Sequence, residues 1–291
     1  MILHEKTHRL AKLPRRLHNT HMLMATAQSL VTHDPHQNGR EIRALMQRAH
    51  DTGARLIHFP EGAMSGYQVS AAPQWEALHE ELELTAALAR NLNLWAILGS
   101  EHRLTAPNRP HNSLYVISDS GNVVARYDKR LCSHNEITHH YNPGNTPIVF
   151  TIEDFTFGCA LCIEINFPEL FLEYERLGID CLLFSSYSQN PIFGIMAQGH
   201  AAANNYWFSV SVPAQFANAL PAGVIGPDGY WISQCRTDAA TDLCFAHLDR
   251  NSPTFDIALN KARPWRKTAR EGSIYSDNWV CDPRSETKTR F

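Results

Sequence analysis

Short apolar runs of strand length alternate with segments of helical spacing along most of this 291-residue chain, and that rhythm restricts the fold to helices packed on sheets. HMLMATAQSLV (21–31) reads as a buried strand, and after Asp34, Pro35 and Gly39 the segment EIRALMQRAHDTGA (41–54) has helical periodicity. RLIHF (55–59) is a second strand, ending at Pro60-Glu61-Gly62, and WEALHEELELTAALARNL (75–92) is a second helix. LWAILGSEHRL (94–104) is a third strand, and NSLYVIS pairs with NVVARYDK through the turn Asp119-Ser120-Gly121-Asn122. Lys129 lies at the far end of that hairpin. A second hairpin is drawn from TPIVFTIEDFTFGCALCIEI, with Glu153-Asp154 at its turn, which places Cys162 near the end of a strand and just before the helix FPELFLEYERLG.

The rhythm then repeats: DCLLFSS as strand, PIFGIMAQGHAAANN as helix, YWFSVSVPA as strand, AGVIG and YWISQC around Pro227-Asp228-Gly229, and CFAHLDR as a last strand. Such a pattern predicts one α/β core over residues 21–250, with mixed sheets covered by helices and the strand order left open. The tail 251–291, with Pro253, Pro264 and Pro283, has no clear apolar periodicity and is expected to be an extended arm or oligomer contact. Residues 1–20 form a basic N-terminal extension carrying Lys6, Arg9, Lys12, Arg15 and Arg16.

Composition excludes several function classes. Lys+Arg 26 against Asp+Glu 29, a formal charge of −3, offers no electrostatic footprint for nucleic acid, so a small molecule is the expected partner. No apolar stretch reaches the roughly 18 residues of a membrane span, and the first 20 residues lack the apolar block of a secretory signal. A cytoplasmic protein, without a membrane partner, is expected. The 7 cysteines are odd in number and scattered, so reduced thiols are the default.

Chemistry concentrates where strands end and the chain turns. Cys162 sits between a strand and a helix, where unpaired backbone N–H groups and the helix dipole are expected to lower a thiol pKa and to face a developing oxyanion, beginning with the N–H of Ile163. Read alone, Cys162 is equally a small buried apolar residue. Cys159 and Cys162 form a CxxC pair, but side chains three apart on a strand face opposite ways, so Cys159 is assigned to the core. Glu61, in HFPEGAMSGY, follows a buried strand, and partial desolvation would raise its pKa and fit it for general-base work. Lys129, in RYDKRLC, ends a strand in the same way and offers a cation for an oxyanion, with a solvated surface lysine as the alternative.

Together the three segments HFPEGAMSGY, YDKRLC and GCALCIEINFPEL resemble the glutamate, lysine and nucleophile segments of the nitrilase-like carbon-nitrogen hydrolases, over roughly residues 21 to 250. The resemblance implies a four-layer α-β-β-α sandwich, commonly paired into homodimers or larger assemblies, with no cofactor and no metal. It also implies roles: Cys162 attacks a carbonyl or nitrile carbon, Glu61 moves the proton, and Lys129 stabilises the intermediate. Glu136, upstream of Tyr141-Asn142-Pro143-Gly144, matches a second family glutamate that orients the lysine and the substrate. Many relatives carry an aromatic residue directly after the cysteine and an arginine four positions after the cysteine; here those positions hold Ile163 and Asn166. Without that arginine, carboxylate-bearing carbamoyl substrates are disfavoured. Glu164 fills the family's acidic position, and Tyr187, Gln189, Asn190 and Phe193 are expected pocket walls. Amide, carbamoyl amide and nitrile substrates stay open.

Three other readings compete. Cys132, His134, His139 and His140 are ligand types for zinc, at a spacing that matches no metal motif. Ser185, Ser186 and Ser188 lack the G-x-S-x-G turn of a serine hydrolase. A nitrilase-like binding or scaffold protein without turnover is the non-enzymatic alternative, and the presence of all three catalytic residue types speaks against it.

Overall fold

Side chains alternate across the early strands so that each face of the sheet meets its own apolar partner. A computed structural model describes residues 20–67 and 74–289. In β1 (His21–Gln28) Met22 and Met24 join one core while Ala25 and Ala27 join another. In β2 (Leu56–His58) Leu56 and Ile57 divide in the same way, as do Ile97 and Leu98 in β3 (Trp95–His102). Successive strand residues point to opposite faces, so these strands are covered on both sides. One cover is helical: α1 (Pro35–Asp51) contributes Ile42, Leu45, Met46 and Ala49, and α2 (Trp75–Leu92) contributes Leu78, Ala89 and Leu92.

The other cover is a second sheet. The first sheet runs β12-β1-β2-β3-β4-β5, with β4 (His111–Ile117), β5 (Val123–Asp128) and β12 (Asp242–Asp249). The second runs β11-β10-β9-β8-β7-β6, with β6 (Val149–Ile152), β7 (Phe155–Leu161), β8 (Cys181–Ser185), β9 (Trp207–Ser211), β10 (Gly223–Ile225) and β11 (Trp231–Gln234). Its helices α3 (Pro168–Arg176) and α4 (Ile192–Asn204) add Leu170, Phe171, Phe193 and Ala197 to the larger core. The architecture is the expected α-β-β-α sandwich. In each sheet the three parallel strands, β1-β2-β3 and β7-β8-β9, are flanked by antiparallel ones. Parallel neighbours need crossover helices, and the chain emerging from β2, β7 and β8 leads directly to Glu61, Cys162 and Tyr187.

Two local readings change. Helix α1 begins at Pro35 and not at 41, because Asp34 caps it, accepting the His36 N–H at 2.9 Å, and Pro35 suits a first helical position. The tail is not an extended arm throughout: α5 (Arg263–Glu271) is followed by short helices α6 (Ser273–Ser276) and α7 (Pro283–Glu286). Arginines, not apolar residues, hold α5 to the body. Arg263 donates to the Ile179 carbonyl at 2.6 Å, Arg266 to the carbonyl of Ala202, and Arg270 to that of Ala203 at 2.8 Å while pairing with Glu175 at 3.2 Å. Carbonyls at the end of a helix lack intrahelical partners and attract cations. The basic extension lies outside the described residues apart from Thr20. Among the described residues no helix is long and apolar enough to cross a membrane.

Candidate active site

Glu61 reaches its place because β3 lets the chain pass close. A Cβ at Gly99 would collide with the Pro60 carbonyl oxygen and lie 2.7 Å from the Gly62 nitrogen, so only glycine allows the segment carrying Glu61 to cross here. Lys129 follows the last residue of β5, and its N–H donates to the Asn112 carbonyl at 2.8 Å, extending the ladder by one pair. Glu136 opens a single π-helical turn (Glu136–His140) and is oriented by Ser133, whose N–H donates to Oε2 at 2.7 Å. All three side chains are buried.

They form one ionic cluster. Lys129 Nζ donates to Glu61 Oε1 at 2.9 Å and to Glu136 Oε1 at 2.7 Å. Asn112 Nδ2 donates to Glu61 Oε1 at 2.7 Å and lies 3.4 Å from Glu136 Oε1, and the Tyr67 hydroxyl reaches Glu136 Oε1 at 3.1 Å. Burial tends to discharge the ammonium, but the surrounding carboxylates overcome it and hold Lys129 well above the usual lysine range. The two carboxyls diverge. Burial raises Glu61 and the Glu136 charge adds to it, against the pull of Lys129. At Glu136 burial is outweighed by the Lys129 charge and hydrogen bond and by Ser133, so its pKa falls. Glu61 is therefore the carboxylate better able to take up a proton.

The sulfur comes from the other sheet. Cys162 follows β7 at φ +46°, left-handed backbone that is costly for a non-glycine residue, and it begins a short 3₁₀ helix (Cys162–Asn166), not the α-helix itself. The expectation of a depressed thiol pKa fails here. Burial pushes it up to about 12 and the Glu61 charge adds to this, while Lys129, the Ser186 hydroxyl and the Tyr187 N–H pull the other way. One short turn of 3₁₀ helix cannot offset full desolvation. The two halves meet at Glu61 Oε2, which accepts the Tyr187 N–H at 2.8 Å.

Glu164, at the family's acidic position, is placed as a buried acceptor of hydrogen bonds. Its buried carboxylate accepts the N–H groups of Arg130 (2.8 Å), Leu131 (3.0 Å) and Leu161 (2.7 Å) and the Tyr127 hydroxyl (2.8 Å), so its lone pairs are spent joining the Lys129 segment to the Cys162 turn. Phe193 likewise belongs to the core, its ring edge-on to Phe184. Asn166 is exposed and donates to the Ile163 carbonyl of its own turn at 2.9 Å. Asn190 is exposed, and its Oδ1 accepts the Ile192 N–H at 3.2 Å as α4 begins; its neighbour Gln189 is exposed as well. Tyr187 is brought to the cluster and stacks on Tyr67 with ring centroids 4.8 Å apart. Asn112 and Tyr67 escaped the sequence reading, although Tyr67 ends the HFPEGAMSGY segment and Asn112 stands opposite Lys129 in the hairpin. Among the described residues no group of three or more His, Cys, Asp or Glu side chains is arranged to hold a metal ion, and Cys132, His134, His139 and His140 form no such group.

Known proteins place this geometry in context. The chain is 27% identical over 266 residues to the deaminated glutathione amidase of Homo sapiens, covering 79% of this chain and 77% of that protein. Against nitrilase homolog 2 of Dictyostelium discoideum it is 24% identical over 186 residues, 58% of this chain, and spans only 56% of that relative's length. The nitrilase-superfamily amidase of Nesterenkonia AN1 shares the fold, with a TM-score of 0.71, 20% identity and coverage of 88% of this chain and 100% of that one. The model of the carbon-nitrogen hydrolase family matches residues 23–254, and with a match of that extent the chain belongs to the carbon-nitrogen hydrolases.

Proposed function

We propose that the protein hydrolyses a non-peptide C–N bond of a small neutral amide through a Cys162 thioester. The observation that carries this reading is the Glu61–Lys129–Glu136 cluster, sealed from water and joined to the Cys162 turn through Tyr187. Glu61 takes the thiol proton as sulfur attacks the carbonyl carbon. The carbonyl oxygen becomes an oxyanion facing the Lys129 ammonium, whose third N–H is free of the two carboxylates, and the N–H of Ile163. Glu61 then returns the proton to the departing nitrogen, the C–N bond breaks, and ammonia or an amine leaves. Water, deprotonated by the same carboxylate, opens the thioester and regenerates the thiol.

Amides are favoured over nitriles and carbamoyl compounds by the amidase names of the relatives. A neutral substrate suits the aromatic pair Tyr67 and Tyr187 and the absence of an arginine at Asn166. The exposed apolar residues Ile257, Trp265, Trp279 and Val280 of the tail support a homo-oligomer contact. An ammonia-release screen of amides, carbamoyl amines and nitriles, run beside Cys162→Ala with intact-mass detection, tests the chemistry. The expected result is an acyl adduct on the wild-type protein and no turnover by Cys162→Ala; unchanged turnover in that variant ends the proposal.

A further inference from the structure

Directly beneath the meeting point of the two sheets lies a polar chain that the chemistry above does not use. His58, the last residue of β2, is fully buried between the sheets. Its Nε2 lies 2.8 Å from Ser185 Oγ on β8, and its Nδ1 lies 2.8 Å from Ser209 Oγ on β9. Ser185 Oγ donates in turn to the Phe59 carbonyl at 2.8 Å, and Ser209 Oγ lies 2.7 Å from Thr26 Oγ1 on β1. Every one of these side chains is inaccessible to solvent.

The directions of these bonds follow from counting protons. A carbonyl can only accept, so the single hydroxyl proton of Ser185 is committed to Phe59, and Ser185 can only accept from His58. Burial lowers the His58 pKa to about 3, so the ring is neutral and carries one proton, which must sit on Nε2. Nδ1 is then bare and accepts from Ser209, which leaves the Ser209 oxygen to accept from Thr26. The chain runs Thr26 to Ser209 to His58 to Ser185 to the Phe59 carbonyl, with no donor wasted and no second arrangement of the protons available. It crosses between the sheets four times, once at each bond.

Its last two members, Ser185 and Phe59, are adjacent to the machinery. Phe59 is followed by Pro60 and Glu61, and Ser185 is followed by Ser186 and Tyr187, whose N–H binds Glu61 Oε2 at 2.8 Å. Apolar burial is non-directional and of itself favours no single lateral register, so sliding is resisted by the interdigitation of side chains and by polar contacts. Directed hydrogen bonds supply such contacts, and in a buried setting each one left unmade is costly. We propose that His58 is a positioning residue, setting the lateral register of the sheet that bears Glu61 over the sheet that bears Cys162. The proposal rests on the reading of Glu61 as the base for the Cys162 thiol.

A double-mutant cycle tests it without any knowledge of the substrate. The full-length protein is alkylated with iodoacetamide across a pH series, modification of Cys162 is followed by peptide mass, and the melting temperature of each variant is recorded. Glu61→Gln should slow alkylation of Cys162 and remove its dependence on a carboxylate. His58→Leu, in which Ser185, Ser209 and Thr26 lose the chain, should slow it by roughly tenfold to a hundredfold, the scale of a sub-ångström to one-ångström misplacement of a catalytic group. The same substitution in a Glu61→Gln background should add little, because His58 acts through Glu61. His58→Gln, which keeps a donor and an acceptor on one planar group, should recover most of the rate. If His58→Leu lowers the melting temperature but leaves the alkylation rate and pH profile of Cys162 unchanged, or if its effect adds fully to that of Glu61→Gln, His58 is a core group and the proposal is overturned. Should His58→Leu not fold, Ser185→Ala, which cuts the link to Phe59, must slow alkylation more than Ser209→Ala, and equal effects overturn the proposal. If Glu61→Gln itself has no effect, the base assignment has failed, and the role of His58 falls with it.

Discussion

The two sheets contribute to the site in opposite ways. The first supplies Glu61, Asn112 and Lys129, charges and dipoles that bond to one another and to Glu136 until almost nothing polar is left over. From the second comes Cys162, whose sulfur is set by left-handed backbone more than by polar partners, and whose thiol is held protonated by burial. One half is fixed by mutual attraction and the other by chain geometry. A charge cluster can be kept rigid in a low-dielectric site only if every member is paired, whereas the nucleophile role proposed for Cys162 asks its sulfur to stay uncommitted until substrate arrives. In the proposed mechanism the thiol takes its base from the opposite sheet, since its own surroundings do not ionise it.

This contrast makes its largest prediction at Lys129. Lys129→Met leaves Glu61 and Glu136 as neighbouring buried carboxylates with no cation between them. Loss of one member of a buried charge set costs about 3–5 kcal/mol, so chemical denaturation should show a large loss of stability together with loss of activity. Cys162→Ala should abolish turnover, by roughly 10⁴-fold or more, while leaving the denaturation midpoint close to wild type. If both variants were equally stable, the picture of one half held by charge and the other by backbone would be wrong.

Glu61→Gln comes next. The amide keeps the shape of the side chain but cannot take a proton, and turnover should fall by about 10²-fold or more. Its pH profile is the sharper readout. The base works only when ionised, and burial raises its pKa, so kcat/KM should rise with pH through a midpoint above the ordinary carboxylate range and fall away below it. Glu61 and Glu136 share Lys129, so that midpoint belongs to the pair. Glu61→Gln should flatten the acidic limb; a limb that persists unchanged in the variant assigns it to another group.

Which parts of this arrangement could be read from the chain follows from how local each cause is. Glu61 and Lys129 were legible because each ends a strand whose apolar run is unmistakable, and the layers were legible because strand and helix periods differ. Asn112 was not, since its bonds to Glu61 and Glu136 span 51 and 24 positions and depend on hairpin register. The thiol pKa was misread because the spacing of Cys162 before FPELFLEYERLG suggested an α-helix at the sulfur, and the chain interposes a 3₁₀ turn that carries little dipole. α5 was missed because its regular spacing is one of arginines reaching carbonyls, and an apolar-period reading passes over it. Glu164 was legible as an acidic position but not as a structural one, because its three backbone donors come from two separate segments.

That residue carries the smallest of the expected effects and the most direct test of how the two halves are coupled. Glu164 accepts Arg130 and Leu131 N–H groups from the segment after Lys129, and the Leu161 N–H from the strand leading to Cys162. Every partner is a donor, so both carboxylate oxygens must accept. Glu164→Gln turns one oxygen into an NH₂ facing donors and leaves at least one backbone N–H buried without an acceptor, at a cost of about 1–3 kcal/mol. Activity should fall only several-fold, because no reacting atom is touched, and the loss should be larger in kcat than in KM as the turn and the lysine drift apart. Steady-state kinetics on any amide found in the screen, with denaturant titration of the same sample, checks both. A variant that loses stability by this amount but keeps the wild-type kcat would show that the halves are held in register without Glu164, leaving that task to the Tyr187 N–H on Glu61 and the buried chain through His58.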